Sequence, residues 1–111
     1  MSFSKLGLND QLVQGILATG YSTPTPIQAQ AIPLAIAGKD IIGCAQTGTG
    51  KTAAFMLPMI NLFLNHPSNK SHTTRGLVLT PTRELALQID EFVSDHVALS
   101  QVHAKGITRV K

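Results

Sequence analysis

Apolar positions recur along this chain with two different rhythms. After Asn9, the residues Leu12, Val13, Ile16 and Leu17 follow the three- and four-residue spacing of one helical face. Asn9 is suited to cap that helix and Gly20 to end it. The stretch GYSTPTPIQ, residues 20–28, is stiffened by Pro24 and Pro26, and Thr25 can cap a second helix whose first residue is Pro26. That helix carries Ile27, Ala31, Ile32 and Leu34, with a kink or break expected before Pro33 and an end at Gly38. DIIGCA, residues 40–45, is apolar without helical spacing and predicts a short buried strand, with Cys44 packed near its end. A third helix is expected from near Gly50 through Ala53, Phe55, Met56, Leu57, Ile60 and Leu64. It is apolar nearly all round, which predicts deep burial, and Pro58 inside it is a candidate kink. NHPSNKSHTTR, residues 65–75, reads as an exposed connection, and GLVLT, residues 76–80, as a second buried strand. PTRELALQIDEFVSDHV then opens a helix with Leu85, Ile89, Phe92 and Val93 on one face. Beyond residue 99 only a weak strand around 102–107 is suggested. Strand, helix, strand, helix is the alternation of an α/β fold with a parallel sheet.

Composition narrows the class without naming a function. A chain of 111 residues makes one small domain, and 43% apolar against 14% charged residues is a globular balance. The net charge of +3 suits a polyanionic partner without requiring one. The basic residues are scattered, and only Lys105, Arg109 and Lys111 gather together. One cysteine excludes an internal disulfide framework. No apolar run reaches the roughly 18 residues that span a bilayer. MSFSKLGLND has no basic segment leading into an apolar one, so it does not read as a secretory signal. A cytoplasmic setting away from any membrane is expected. His66, His72, His96 and His103 lack metal-ligand spacing and read as surface histidines.

The chemistry concentrates in AQTGTGKT, residues 45–52. Phosphates need several donors converging on a small volume, and side chains on every residue would block that approach. Gly48 and Gly50 let the backbone wrap closely, and the helix that follows presents the positive end of its dipole. Lys51 can reach the outer phosphates, and Thr52 offers a hydroxyl to Mg²⁺. The pattern departs from G-x-x-x-x-G-K-T at its first position, which is Ala45. A chance turn rich in glycine and threonine is the bland alternative, but an expected strand before the octet and a helix after it argue for a phosphate-binding loop. ALQIDE, residues 86–91, superficially resembles a carboxylate-bearing strand. Its apolar spacing is helical, so Asp90, Glu91 and Asp95 are expected on a solvated face.

Together these segments resemble a family. GYSTPTPIQ with Phe3 upstream looks like the Q motif of DEAD-box ATP-dependent RNA helicases. AQTGTGKT is similar to that family's form of the loop, which has alanine where Ala45 stands. PTRELA, residues 81–86, looks like its motif Ia. The three occur in the family's order and spacing, and the resemblance covers residues 3 to about 93. It implies an incomplete RecA-like P-loop NTPase domain, α/β, with a parallel sheet flanked by helices. Residues 1–38 would be the Q-motif region and 39–98 the loop and motif Ia units, with 99–111 an unassigned tail. It implies ATP and Mg²⁺ as cofactors, held by Gln46, Thr47, Gly48, Thr49, Gly50, Lys51, Thr52 and Ala53, with Lys51 and Thr52 as the catalytic pair and Thr52 as the metal ligand. Gln28 would read adenine and exclude guanine, since its amide can both donate to and accept from adenine's N6 and N7 edge. A helix-surface glutamine is the alternative. Phe3 would stack on the base or serve as a core contact. Thr23 would meet adenine through its backbone, while Thr25 is equally suited to capping and to ligand contact. Pro81, Thr82 and Arg83 would grip an RNA backbone, the alternative being a Thr82 cap beside a solvated Arg83.

The family's DEAD tetrapeptide, its SAT motif and the glycine pair expected after motif Ia are not in this sequence, and past Val93 it departs from the family's pattern. Three readings follow: an amino-terminal piece of an RNA helicase, inactive in isolation; a nucleotide-binding module without catalysis; and an interaction fragment whose loop stays empty. Weak RNA binding through phosphates is expected, and self-association through unpaired sheet edges.

Overall fold

The computed structural model describes residues 2–46, 48, 50–66 and 75–99, in the order of a short 3-10 turn (Phe3–Lys5) and helices α1 (Asp10–Ala18), α2 (Pro26–Ile36), α3 (Lys51–Asn65) and α4 (Arg83–Leu99). The helix signals read from the sequence hold. Asn9 caps α1, its side chain accepting from the Gln11 N–H at 2.9 Å. Thr25 caps α2, whose first residue is Pro26. At the other end of α2, Gly38 takes φ 84°, and the amides of Gly38 and Lys39 reach back to the carbonyls of Ala35 and Leu34. That pair of bonds satisfies carbonyls that the helix end would leave open.

Two helices run further than their prolines suggested. Pro33 lies inside α2 and Pro58 inside α3, and neither interrupts its helix. Each removes one backbone donor, and packing outweighs that loss. α2 lies along α3, and α4 touches both α1 and α3. Their shared core holds Phe3, Leu6, Leu8, Leu12, Val13, Ile16, Ile32, Met56, Leu57, Ile60, Ile89 and Val93. A fully covered side chain such as Ile16, Ile32 or Leu57 contributes about 1.5–3 kcal/mol. Asn61 is the polar exception on the buried side of α3, at 3% exposed.

The expected strands differ most from what is found. Among the described residues there is no strand: 40–46 and 75–80 carry no ladder. Ile42 is 97% exposed, Leu77 75% and Leu79 85%, and Cys44 is exposed rather than packed. A strand is stable only when a neighbour takes up its N–H and C=O groups, and these two segments do not pair with each other. The same gap leaves part of α3 open, so Phe55 and Leu62 are exposed where burial was expected. The weak strand at 102–107, and residues 67–74 of the exposed connection, lie outside the described residues.

Candidate functional site

Residues 20–28 and the loop at 45–52 meet at one side chain, that of Gln28. Thr25 and Gln28 stand three residues apart at the start of α2, in the T-x-x-Q pattern of a reciprocal cap. Gln28 Oε1 accepts from the Thr25 N–H at 2.9 Å, and Thr25 Oγ1 accepts from the Gln28 N–H at 3.5 Å. The other end of the amide leaves α2: Gln28 Nε2 donates to the Gly50 carbonyl at 3.2 Å. Gln28 is 3% exposed, so it is no helix-surface residue. Burial of an amide is tolerated here because both of its ends are hydrogen-bonded.

Gly50 is fitted to this contact. It caps α3 at φ 85° and ψ 27°, and its carbonyl also accepts the first helical bond, from the Ala54 N–H at 3.1 Å. A Cβ at this position would run into the Gln28 amide and come within 3.2 Å of Thr25 Oγ1. Gly48 is also left-handed, at φ 87°. Both take a backbone conformation that residues with a Cβ rarely adopt. Lys51 and Thr52 open α3, with Lys51 exposed, Thr52 half-buried and Ala53 buried. The positive end of the α3 dipole, a lysine and a hydroxyl therefore all belong to the first turn of this helix. Gln46 is exposed on the approach to the loop, and Thr47 and Thr49 lie outside the described residues.

Of the residues expected beside the base, Thr23 is exposed in the segment between α1 and α2, whereas Phe3 is 1% exposed within the core. In this conformation Phe3 makes the core contact that was the alternative to stacking. Pro81, Thr82 and Arg83 form a second, exposed cluster at the start of α4. The Thr82 hydroxyl accepts from the Leu85 N–H at 3.2 Å and so caps the helix, while its carbonyl accepts from the Thr80 hydroxyl at 2.8 Å. Capping uses the lone pair of Thr82 Oγ1 and leaves its hydrogen to donate.

Among the described residues no three His, Cys, Asp or Glu side chains gather as a metal site. A cation here would depend on the Thr52 hydroxyl and on the oxygens of a bound nucleotide. No described helix is long and apolar enough to cross a membrane. A groove of about 470 Å³ runs beside the later turns of α3, lined by Ile36, Phe55, Met59, Leu62 and Phe63. Arg75 lies 4.8 Å from the centre of the Phe63 ring at its edge. The groove is mainly apolar, with Asn61, Asn65 and His66 also in its lining, and none of the described residues of 45–52 lines it.

The sequence pattern of the DEAD/DEAH box helicase family matches residues 25–108, from the cap of α2 onward, and so runs past Val93, where the sequence alone was expected to leave the family's pattern. The chain belongs to that family. It is 56% identical over 90 residues to the ATP-dependent rRNA helicase rrp3 of Emericella nidulans, covering 81% of this chain and 18% of that protein. Its fold is similar to that of the RNA helicase Prp28 from Chaetomium thermophilum bound to ADP, at TM-score 0.80 and 40% identity, over 88% of this chain and 24% of the other. It is similar too to Saccharomyces cerevisiae Dbp5 bound to RNA and ADP BeF3, at TM-score 0.76 and 37% identity, over 88% and 25%. The chain thus spans about a fifth of the length of the curated relative and a quarter of the solved ones. For a DEAD-box chain, the bond between Gln28 and Gly50 joins the first two signature segments in space.

Proposed function

We propose that this chain forms the ATP-binding part of a DEAD-box RNA helicase, and that the parent activity is RNA-dependent ATP hydrolysis coupled to unwinding of RNA duplexes. The observation that supports the proposal is the Gln28–Gly50 hydrogen bond, which ties the amide proposed to read the base to the loop proposed to hold the phosphates. An amide has two hydrogens and two oxygen lone pairs, and one of each is used by Gly50 and Thr25. The remaining pair suits adenine N7 and N6, once the cover over Gln28 moves aside. Guanine presents an acceptor where adenine has its N6 donor, so the same amide disfavours it.

The phosphates would be held by Gln46, Thr47, Gly48, Thr49, Gly50 and Ala53 through the loop backbone and by Lys51 through its charge. Thr52 would hold Mg²⁺, which neutralises phosphate charge when bound. Thr23 would flank the base, and Phe3 would stack on it after turning out of its core packing. Pro81, Thr82 and Arg83 would bind the RNA backbone without reading sequence, and weakly in this chain alone. ADP in the Prp28 structure, and RNA with ADP BeF3 in that of Dbp5, support both partners.

The parallel sheet of a RecA-like domain would form from 40–46 and 75–80 once further strands pair with them. In this chain alone those apolar edges would promote self-association. Sedimentation tests that: concentration-dependent oligomers are expected, and a strictly monomeric folded species contradicts it. The composition and single cysteine fit a cytoplasmic setting. The functional proposal is tested by assaying nucleotide binding and phosphate release with and without RNA. Binding of Mg-ATP with little release is expected of this chain, and no binding of any nucleotide would remove the proposal.

A further inference from the structure

We propose that Asn61 is a positioning residue for the base side of this site, holding the amino-terminal segment against the helix that starts at the phosphate loop. This role rests on the nucleotide-binding function proposed above.

The rest of the buried side of α3, Ala53, Ala54, Met56, Leu57, Pro58 and Ile60, has no polar side chain, so an amide among them needs a partner. Asn61 Oδ1 has one 52 residues away in sequence: it accepts from the Asn9 N–H at 2.6 Å. One turn on, Asn65 Oδ1 accepts from Asn9 Nδ2 at 3.1 Å. Residues four apart lie on one helical face, so α3 grips both the backbone and the side chain of a single residue. Asn9 is also the cap of α1. It therefore sits where the segment bearing Phe3, Leu6 and Leu8, all buried in the core, turns into the helix that leads to Thr23.

α3 thus carries two tethers. At its start, Gly50 holds Gln28 after the Q-like segment. At Asn61, roughly 16–17 Å along the axis by a rise of about 1.5 Å per residue, it holds Asn9 before that segment. Residues 19–25, with Thr23 among them, are hung between the two. Phosphate binding depends on the loop and the first turn of α3, so loss of the Asn61 tether acts on the base and spares the phosphates. An asparagine that merely supported the fold would weaken both alike.

The test compares ADP, GDP and inorganic tripolyphosphate binding to the whole chain by calorimetry, in the parent and in Asn61→Leu, Asn61→Asp and Asn65→Ala. Asn61→Leu removes the acceptor, and is expected to weaken ADP by about three- to tenfold, in line with one lost hydrogen bond. The ADP-over-GDP preference should shrink, with tripolyphosphate unchanged. Asn61→Asp keeps an acceptor of the same reach and should restore the preference. Asn65→Ala, at an exposed position, should show a smaller loss in the same direction. A folded Asn61→Leu with an unchanged preference overturns the proposal and leaves the nucleotide function standing. Equal weakening of ADP and tripolyphosphate also overturns it. If Asn61→Leu does not fold, Asn65→Ala decides, and unchanged ADP binding there overturns the proposal. A parent chain that binds none of the three removes the nucleotide function first, and this role with it.

Discussion

Gln28 Nε2 donates to the carbonyl of Gly50 at 3.2 Å, across 22 positions of sequence. That carbonyl also accepts the Ala54 N–H, so the start of α3 is shared between its own helix and the side chain of another. The start of α3 and the cap of α2 are therefore linked.

Gly50→Ala tests the fit. A left-handed alanine costs about 1–2 kcal/mol by itself. The added methyl also displaces the Gln28 amide. Chemical denaturation should show a loss of at least that size, with a parallel loss of nucleotide binding. A variant as stable as the parent would show that Gly50 does not need its left-handed conformation.

Gln28→Ala and Gln28→Glu separate the two ends of the amide. Alanine removes both the reciprocal cap and the tie to Gly50, and should cost about 1 kcal/mol or more. Glutamate keeps an acceptor for the Thr25 N–H but sets an oxygen against the Gly50 carbonyl. Both variants should lose adenine preference. If Gln28→Glu keeps it, the Gly50 contact has no part in base recognition.

Helix positions and caps were legible in the sequence because their signals are local. Asn9, Thr25, Pro26 and Gly38 each act within a few residues of the end they mark. The left-handed turns at Gly48 and Gly50 and the helix start at Lys51 were legible for the same reason, since they lie within four residues. The strands were not, because a ladder needs a partner and no local pattern supplies one for Ile42 or Leu79. Two contacts also escaped. T-x-x-Q at the start of α2 is a capping-box signature, so the Thr25–Gln28 pair could have been found. Asn61 had a fainter signal: a polar residue inside an apolar helix. Its partner, Asn9, lies too far away in sequence to be named in advance.

At α4, Thr82 and Arg83 separate a structural role from a binding one. Thr82→Ala loses the bond to the Leu85 N–H and should destabilise the helix by about 1 kcal/mol, read as earlier thermal unfolding. Arg83→Ala should leave stability within about 0.5 kcal/mol. In fluorescence anisotropy it should weaken single-stranded RNA binding evenly across sequences and lower the salt slope by about 0.7. Sequence-dependent losses would contradict a backbone-only contact.

Lys51 provides the phosphate control. Lys51→Ala should weaken ATP far more than adenosine, because in the proposed site only the triphosphate would meet the ammonium group. Equal losses for both ligands would remove Lys51 from the phosphates.

The central claim is that α2 and α3 together build an adenine-reading phosphate site. It is tested most directly by titrating the chain with Mg-ATP and with Mg-GTP under identical conditions. Saturable binding of Mg-ATP with clearly weaker binding of Mg-GTP is the predicted result. Equal affinity for the two, or no binding of either, would contradict it.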